Sequence, residues 1–439
     1  MADHSRTSFW TYALALLALL MAWGAHADPK WLAASDARES WRAALDRAKD
    51  RREPIMAFVF VENQKLTLMM EERTFGDIDV DKALRDFLCV KVNAVDAENQ
   101  TFLEAYGAGR KQINLQVEPG HENDLVVEDP GRAQAYPITL FINPDGGLEH
   151  MVYGFVIPED FAQMLGQVKA IMGLHERLRA DEGDAKALGE LGGLYVALQR
   201  FPAGRETLEK ALAADADGKL GVGETALLDL AVAYLSEGQA DEAMERIFQH
   251  LNTYPDSELR CKARFLLGGA LLASVEPDRL AVEELTAQGK AAEAEQAAAH
   301  LLEGQRQAEE AWAWFEGEKG KAPCEGTEWS DYSLGALGEL RAEMAYPGVS
   351  AEADALVAEG KIDAAVQQLR AFGTDKEKGH PGTDRGCEAL FRAGEILMKA
   401  GKREEALAQW RKLADPDPQT NPCAQSLWRA QAMGAMQEP

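Results

Sequence analysis

No cysteine stands before Cys89, and the 439-residue chain holds only five. That absence excludes a Cys-x-x-Cys redox or zinc pair from the first fifth of the chain. The eight histidines never fall four apart, so no His-x-x-x-His face can hold a metal on a helix. Gly-rich phosphate loops, dinucleotide fingerprints and Gly-x-Ser-x-Gly elbows are missing too. Positive charge is scarce: 46 Lys+Arg face 73 Asp+Glu, a net −27. A field of that sign repels phosphate backbones and anionic lipid, which argues against nucleic-acid and membrane-surface partners. It serves solubility, or a basic partner.

Long apolar runs are also few. One stands out, Phe9 to Trp23, after a weakly positive start at Arg6 that Asp3 dilutes. It is shorter than the roughly 20 residues that span a bilayer. Ala25-His26-Ala27 follows as a small-x-small cleavage site. Residues 1–27 therefore read as a secretory signal, with an uncleaved anchor as the alternative. No later stretch is apolar enough to span. The expected compartment is periplasmic or extracellular, where disulfides persist.

What is present is ordinary globular material: 46% hydrophobic and 27% charged residues. After the signal the pattern reads α, β, α, β, α, β, β, α. Trp31 to Asp50 is a helix with Trp41, Leu45 and Ala48 on one stripe, ended by Pro54. Ile55 to Val61 (IMAFVFV) and Leu88 to Asn93 (LCVKVN) are apolar runs expected of strands covered on both faces. Lys65 to Phe75, Val80 to Phe87 and Glu98 to Tyr106 suit helices. Ile138 to Ile142 and Leu148 to Gly154 form strands around Pro144-Asp145-Gly146-Gly147, and Pro158 to Leu178 a helix.

In this order, the Trp41–Ala48 helix, IMAFVFV, Met70-Glu71-Glu72-Arg73-Thr74-Phe75, Phe87 to Asn93, Tyr106-Gly107, Tyr136-Pro137-Ile138-Thr139-Leu140-Phe141 and Pro144-Asp145-Gly146 resemble the exported branch of the thioredoxin-like family. The resemblance covers about 31–175 and implies an α/β domain: a central mixed sheet flanked by helices. In active members a Cys-x-x-Cys opens the helix after the first strand. Here that motif falls on Gln64-Lys65-Leu66-Thr67, and neither Gln64 nor Thr67 can form a mixed disulfide. Pro137 matches the family's cis-proline, with Tyr136 before it. The resemblance makes these two the candidate partner-binding residues, where an extended segment would pair; a rigid turn is the alternative. Between Gly107 and Tyr136 the chain departs again, with a polar insertion at about 108–135. It is expected to lie over the former active face, with a small hairpin of Leu115–Val117 against Leu125–Val127.

From about Asp184 the composition turns to Ala, Leu, Glu and Gly at helical spacing. A phrase recurs at Gly238-Gln239-Ala240-Asp241-Glu242-Ala243, Gly289-Lys290-Ala291-Ala292-Glu293-Ala294, Gly360-Lys361-Ile362-Asp363-Ala364-Ala365 and Gly401-Lys402-Arg403-Glu404-Glu405-Ala406. Leu227, Leu230, Ala231, Tyr234, Ala243, Ile247 and Pro255 fall on the pattern of the tetratricopeptide repeat, which this tail resembles. So do Leu390, Ala393, Gly394, Leu397, Ala406, Trp410 and Leu413, and less fully Leu188, Leu191, Gly192, Tyr195, Leu208 and Ala211, with Gly204 at the usual Ala. The resemblance implies an all-α superhelix over 181–439 with an irregular middle at about 275–348, and a groove for peptides or protein ends. A spacer or a dimer surface is the alternative.

Cys89, inside LCVKV, reads as a buried inert thiol. The other four cysteines allow three connectivities; pairing Cys387 with Cys423, one repeat-length apart, leaves Cys261 with Cys324. Asp77-Ile78-Asp79-Val80-Asp81 mimics the start of a calcium loop, but Lys82 and Leu88 stand where Gly and Glu are needed, so it reads as a helix cap. His121 and Glu122 read as solvated, and Gly107-Ala108-Gly109 and Gly221-Val222-Gly223 as turns.

The expectation is a 28–180 platform and a repeat tail, without cofactor, metal or catalytic residue. It points to a non-catalytic adaptor for a protein or peptide of the cell envelope. Two rivals stand beside it. One is a periplasmic holdase, since the architecture resembles CnoX-type co-chaperones. The other is a thiol–disulfide enzyme using Cys89 or the repeat cysteines.

Overall fold

A computed structural model of the chain describes residues 40–106, 115–116, 126–127, 136–318, 324–376 and 378–437. The expected signal at 1–27, Trp31, Gly107-Ala108-Gly109, His121, Glu122 and most of the 108–135 insertion lie outside the described residues. No described helix is long and apolar enough to cross a membrane. The chain divides into two compact units, 1–200 and 201–439.

In the first unit, α1 (Ser40–Arg51) leads into β1 (Ile55–Phe60), followed by α2 (Lys65–Met69), α3 (Ile78–Leu84), β2 (Leu88–Asn93) and α4 (Gln100–Ala105). Leu115–Gln116 (β3) and Val126–Val127 (β4) pair antiparallel. β5 (Ile138–Ile142), β6 (Leu148–Tyr153), α5 (Pro158–Ala180) and α6 (Ala185–Ala197) complete it. A four-stranded mixed sheet runs β2-β1-β5-β6. β1 and β2 are parallel, which requires the α2–α3 crossover; β5 runs antiparallel to both β1 and β6.

Strand alternation divides two cores. Ala57, Val59, Ile138 and Leu140 face Ala44 and Ala48 of α1 and Phe102 and Leu103 of α4. Phe58 points the other way, edge-on to Phe75 at 4.9 Å, and Phe75 meets Phe161 of α5 at 5.7 Å. All three rings are buried, each contributing about 1.5–3 kcal/mol.

The expected helix over 65–75 is α-helical only to Met69; Met70–Thr74 form a π turn. The wider turn brings Met70, Thr74 and Phe75 to the core together. Asp77 caps α3, its Oδ1 accepting from Asp79 N at 2.9 Å and Val80 N at 3.2 Å. Among the described residues no cluster of acids, histidines or cysteines could hold a metal.

The first unit runs on to Arg200, past the expected 180/181 boundary. Buried Glu149 on β6 explains this. It accepts from Asn143 Nδ2 at 2.7 Å, meets His175 Nε2 of α5 at 3.5 Å, and pairs with Arg200 Nη1 at 3.3 Å. Arg200 also donates to the Glu149 carbonyl and covers the Tyr195 ring at 4.3 Å, while Tyr195 bonds His175 Nε2 at 3.0 Å. Burial pushes the Glu149 carboxyl up. The bonds from His175 and Asn143 and the charge of Arg200 outweigh it and hold the group below its usual range. This cluster ties α6 to the sheet.

The second unit is helical: α7 (Phe201–Ala214), α8 (Gly223–Ser236), α9 (Ala240–Thr253), α10 (Arg260–Ser274), α11 (Glu276–Ala287), α12 (Ala291–Glu318), α13 (Glu328–Ala358), α14 (Ile362–Thr374), α15 (Asp384–Lys399), α16 (Arg403–Leu413) and α17 (Leu427–Ala435). Successive helices pack as hairpins, except that α10 packs on α12 with α11 interposed in the chain. α13 passes through Pro347 without ending. Buried Tyr346 and Ala353, packed with α14 and α15, offset the lost hydrogen bond.

Candidate functional site

The candidate mouth lies at one end of the β1–β5 ladder. The chain leaves β1 there toward Gln64 and enters β5 there through Tyr136 and Pro137, because Val59 is opposite Ile138. Gln64 precedes α2 with extended backbone and no side-chain cap bond. Gln64 is 8% and Thr67 1% exposed, and Thr67 Oγ1 finds no partner among the described residues. The Tyr136–Pro137 peptide is cis. Tyr136 and Pro137 are both buried, and the Pro137 carbonyl accepts from Gly154 N at 2.7 Å. That carbonyl is therefore engaged by the chain itself. Thr74 Oγ1 donates to the Val156 carbonyl at 2.5 Å, closing the neighbouring loop.

The side chains here are the Gln64 amide and the Thr67 hydroxyl. The one cysteine of this unit, Cys89, is 2% exposed on β2. Burial, then the charge of Asp81, pushes its thiol up to about 12. It is a thiol at neutral pH, and the attacking species in disulfide exchange is the thiolate.

In the second unit the recurring phrase builds one hydrogen-bonded corner. Gly238, Gly289, Gly360 and Gly401 all sit at φ between 72° and 78°. The next residue bonds back five positions each time: Gln239 N to Tyr234 O, Lys290 N to Leu285 O, Lys361 N to Leu356 O and Lys402 N to Leu397 O, all 2.8–2.9 Å. This is the Schellman closure of a helix. The first unit carries a fifth copy, built without glycine: Arg200 N bonds Tyr195 O at 2.8 Å, with Gln199 at φ 58°.

A second repeated device joins helices. A Cβ on Gly394 would lie 2.2 Å from Trp410 Nε1, and Trp410 donates to the Phe391 carbonyl at 3.1 Å. In the irregular middle, a Cβ on Gly268 would lie 2.3 Å from Trp312, which donates to the Phe265 carbonyl at 3.0 Å. The same knob-and-hole joins α15 to α16 and α10 to α12, so the middle keeps the packing although α11 breaks the period.

No family model matches the chain, and no curated protein matches it. A solved structure similar to part of it is that of Naa15/Naa10 bound to HypK-THB, at 14% identity and a TM-score of 0.22. The match covers 63% of this chain and 37% of that one.

Cys261 is bonded to Cys324 and Cys387 to Cys423, with Cα separations of 5.7 and 5.8 Å. The first ties the opening turn of α10 to the segment before α13. The second ties the opening of α15 to the segment before α17, within a cluster of Leu390, Trp410 and Leu413. Across the same unit Arg341 bridges α13 to α12 through Glu309 at 2.8 Å and Glu316 at 2.7 Å, and Arg385 grips Glu343 at 2.6 and 2.9 Å. These disulfides and ion pairs tie helices that are distant in the chain to one another.

Proposed function

We propose that this chain is an exported, non-catalytic adaptor: a thioredoxin-like platform without redox sulfur, followed by tetratricopeptide-like repeats that bind a protein or peptide of the cell envelope. The observation that carries the reading is that Gln64 and Thr67, which the resemblance aligns with the attacking and resolving sulfurs, are buried, and that Cys89 is a buried thiol. The β2-β1-β5-β6 order supports the platform, and the repeated corners support the repeats. With the Pro137 carbonyl engaged, the repeats are the better candidate for partner capture.

The test is affinity capture with the mature chain from an envelope extract. One protein retained at near-equal amount, and lost when 201–439 is removed, is the expected result. Turnover of insulin disulfides above background would overturn it. A holdase is the second reading. It is favoured by Ile78 and Ile157, 64% and 48% exposed, beside the loops that Thr74 and Val156 join. Suppression of aggregation of a heated client at equal concentration would select it.

A further inference from the structure

In the second unit Arg205, Arg279, Arg306, Arg341, Arg385 and Arg392 each face a carboxylate. Arg260 and Arg264 face none among the described residues, although acids outnumber bases 73 to 46. They stand one turn apart at the start of α10, the positive end of that helix. Both guanidinium groups lie over one indole, Trp314, at 5.3 and 5.4 Å. Among the described residues both Nε atoms are buried without an acceptor, and the one polar contact of either side chain is Arg260 Nη1 to the Pro255 carbonyl at 3.3 Å. Burial, then the neighbouring Arg260, holds Arg264 below its ordinary range, with no carboxylate countering. Two like charges are thus held together, at the wrong end of a dipole, with outward donors unspent.

The surroundings are aromatic and braced. Phe265 meets Trp329 at 5.6 Å and Tyr332 at 6.0 Å, and Tyr332 is 54% exposed. Beneath them lie the Cys261–Cys324 bridge and buried Phe315, against which Trp314 and Trp329 pack. Trp, Tyr and Arg on a rigid base are the residues that dominate binding energy at protein interfaces. The unmatched charge selects the partner.

We propose that the Arg260–Arg264–Trp314 face, with Trp329 and Tyr332 beside it, binds a peptide segment that alternates carboxylate and apolar side chains. The carboxylates would accept from the terminal guanidinium nitrogens, and the apolar groups would cover the exposed Tyr332 ring and the half-buried Trp314 and Trp329 beside it. This deepens the adaptor reading, on which it rests, by naming the partner's chemistry. The bulk charge of −27 opposes any acidic partner, so selectivity must come from this local pair.

The test is fluorescence anisotropy with the mature chain and a labelled dodecapeptide of alternating Glu and Leu, beside its Gln–Leu and Lys–Leu counterparts. The Glu–Leu peptide should bind at least tenfold tighter than either. Arg260→Gln with Arg264→Gln should weaken it at least tenfold, with circular dichroism and the Cys261–Cys324 mass unchanged, while the double Lys variant keeps the preference for Glu over Gln. Equal affinity for Glu–Leu and Gln–Leu in the unmutated chain overturns the proposal without any variant. So does a double Gln variant that binds undiminished, or saturable binding of inorganic phosphate with no peptide binding. An envelope partner still captured by the double Gln variant would sink this surface and leave the adaptor standing. Peptide selectivity with no partner captured would do the reverse.

Discussion

Consider replacing Gly401 by alanine. The residue sits at φ 77°, and a Cβ built there meets nothing within 4 Å. No steric clash contributes, so the penalty is the backbone's alone. A left-handed conformation costs an L-residue about 1–2 kcal/mol, and alanine recovers a few tenths by restricting the unfolded chain. The net expectation is a loss of about 1 kcal/mol, a fall of about 2–4 °C in the melting transition of a unit this size. Gly360→Ala and Gly238→Ala, equally open and at φ 78° and 75°, should behave alike. Gln199 supplies the reciprocal. It holds φ 58° in the same corner with a side chain, so Gln199→Gly should be neutral or stabilising by up to about 1 kcal/mol, the reverse of a mid-helix glycine. Gly394→Ala is the contrast. Helix propensity favours it by about 1 kcal/mol, yet the Cβ would sit 2.2 Å from Trp410 Nε1. It should therefore lose more stability than Gly401→Ala. Urea titrations followed by circular dichroism would measure all five. An unchanged midpoint for Gly401→Ala, or a clear loss for Gln199→Gly, would refute the corner as the source of the recurring glycine.

Breaking Cys387–Cys423 with a double Ser variant releases a 36-residue separation and should remove about 3–4 kcal/mol, read as a lower melting temperature of the oxidised protein. Cys89, pushed up to about 12, should resist iodoacetamide at pH 8 in the folded chain and react once denatured; mass spectrometry decides. His250 is fully buried, and both its ring nitrogens are unpartnered among the described residues. Burial is the first cause holding it below its usual range; Lys262 adds to that and Glu224 opposes it. The unfolded chain takes up the proton first, near pH 6.5, so stability should decline as pH falls below about 6.5, and His250→Gln should flatten that decline. A denaturation midpoint independent of pH between 7 and 5.5, after allowing for the His250→Gln background, would count against it.

Much of the local plan was legible in the residues. IMAFVFV has no polar alternation, and its burial from Ile55 to Val59 followed from composition; LCVKVN was expected to be covered on both faces too, but Lys91 is exposed because β2 is the edge strand. The four glycine phrases marked helix ends because only a residue without Cβ takes the left-handed turn freely. Other features were invisible for equally physical reasons. A π turn at Met70–Thr74 differs from an α-helix by one hydrogen-bond register, which side-chain spacing over five residues cannot resolve. Gln199 hides a repeat corner because the conformation is imposed by the closing bond from Arg200 rather than by a glycine.

The amino acids themselves determined that no sulfur stands near the start of α2, that the charge is acidic, and where helices begin and end, because these depend on composition and neighbours a turn apart. The tertiary structure alone decided the rest. Glu149, His175, Tyr195 and Arg200 meet from separate elements and draw α6 onto the sheet. α10 finds α12 past an intervening helix, and two arginines are left over one indole without a counter-charge among the described residues. Such contacts join residues distant in the chain, so they exist only once packing has brought the side chains within reach.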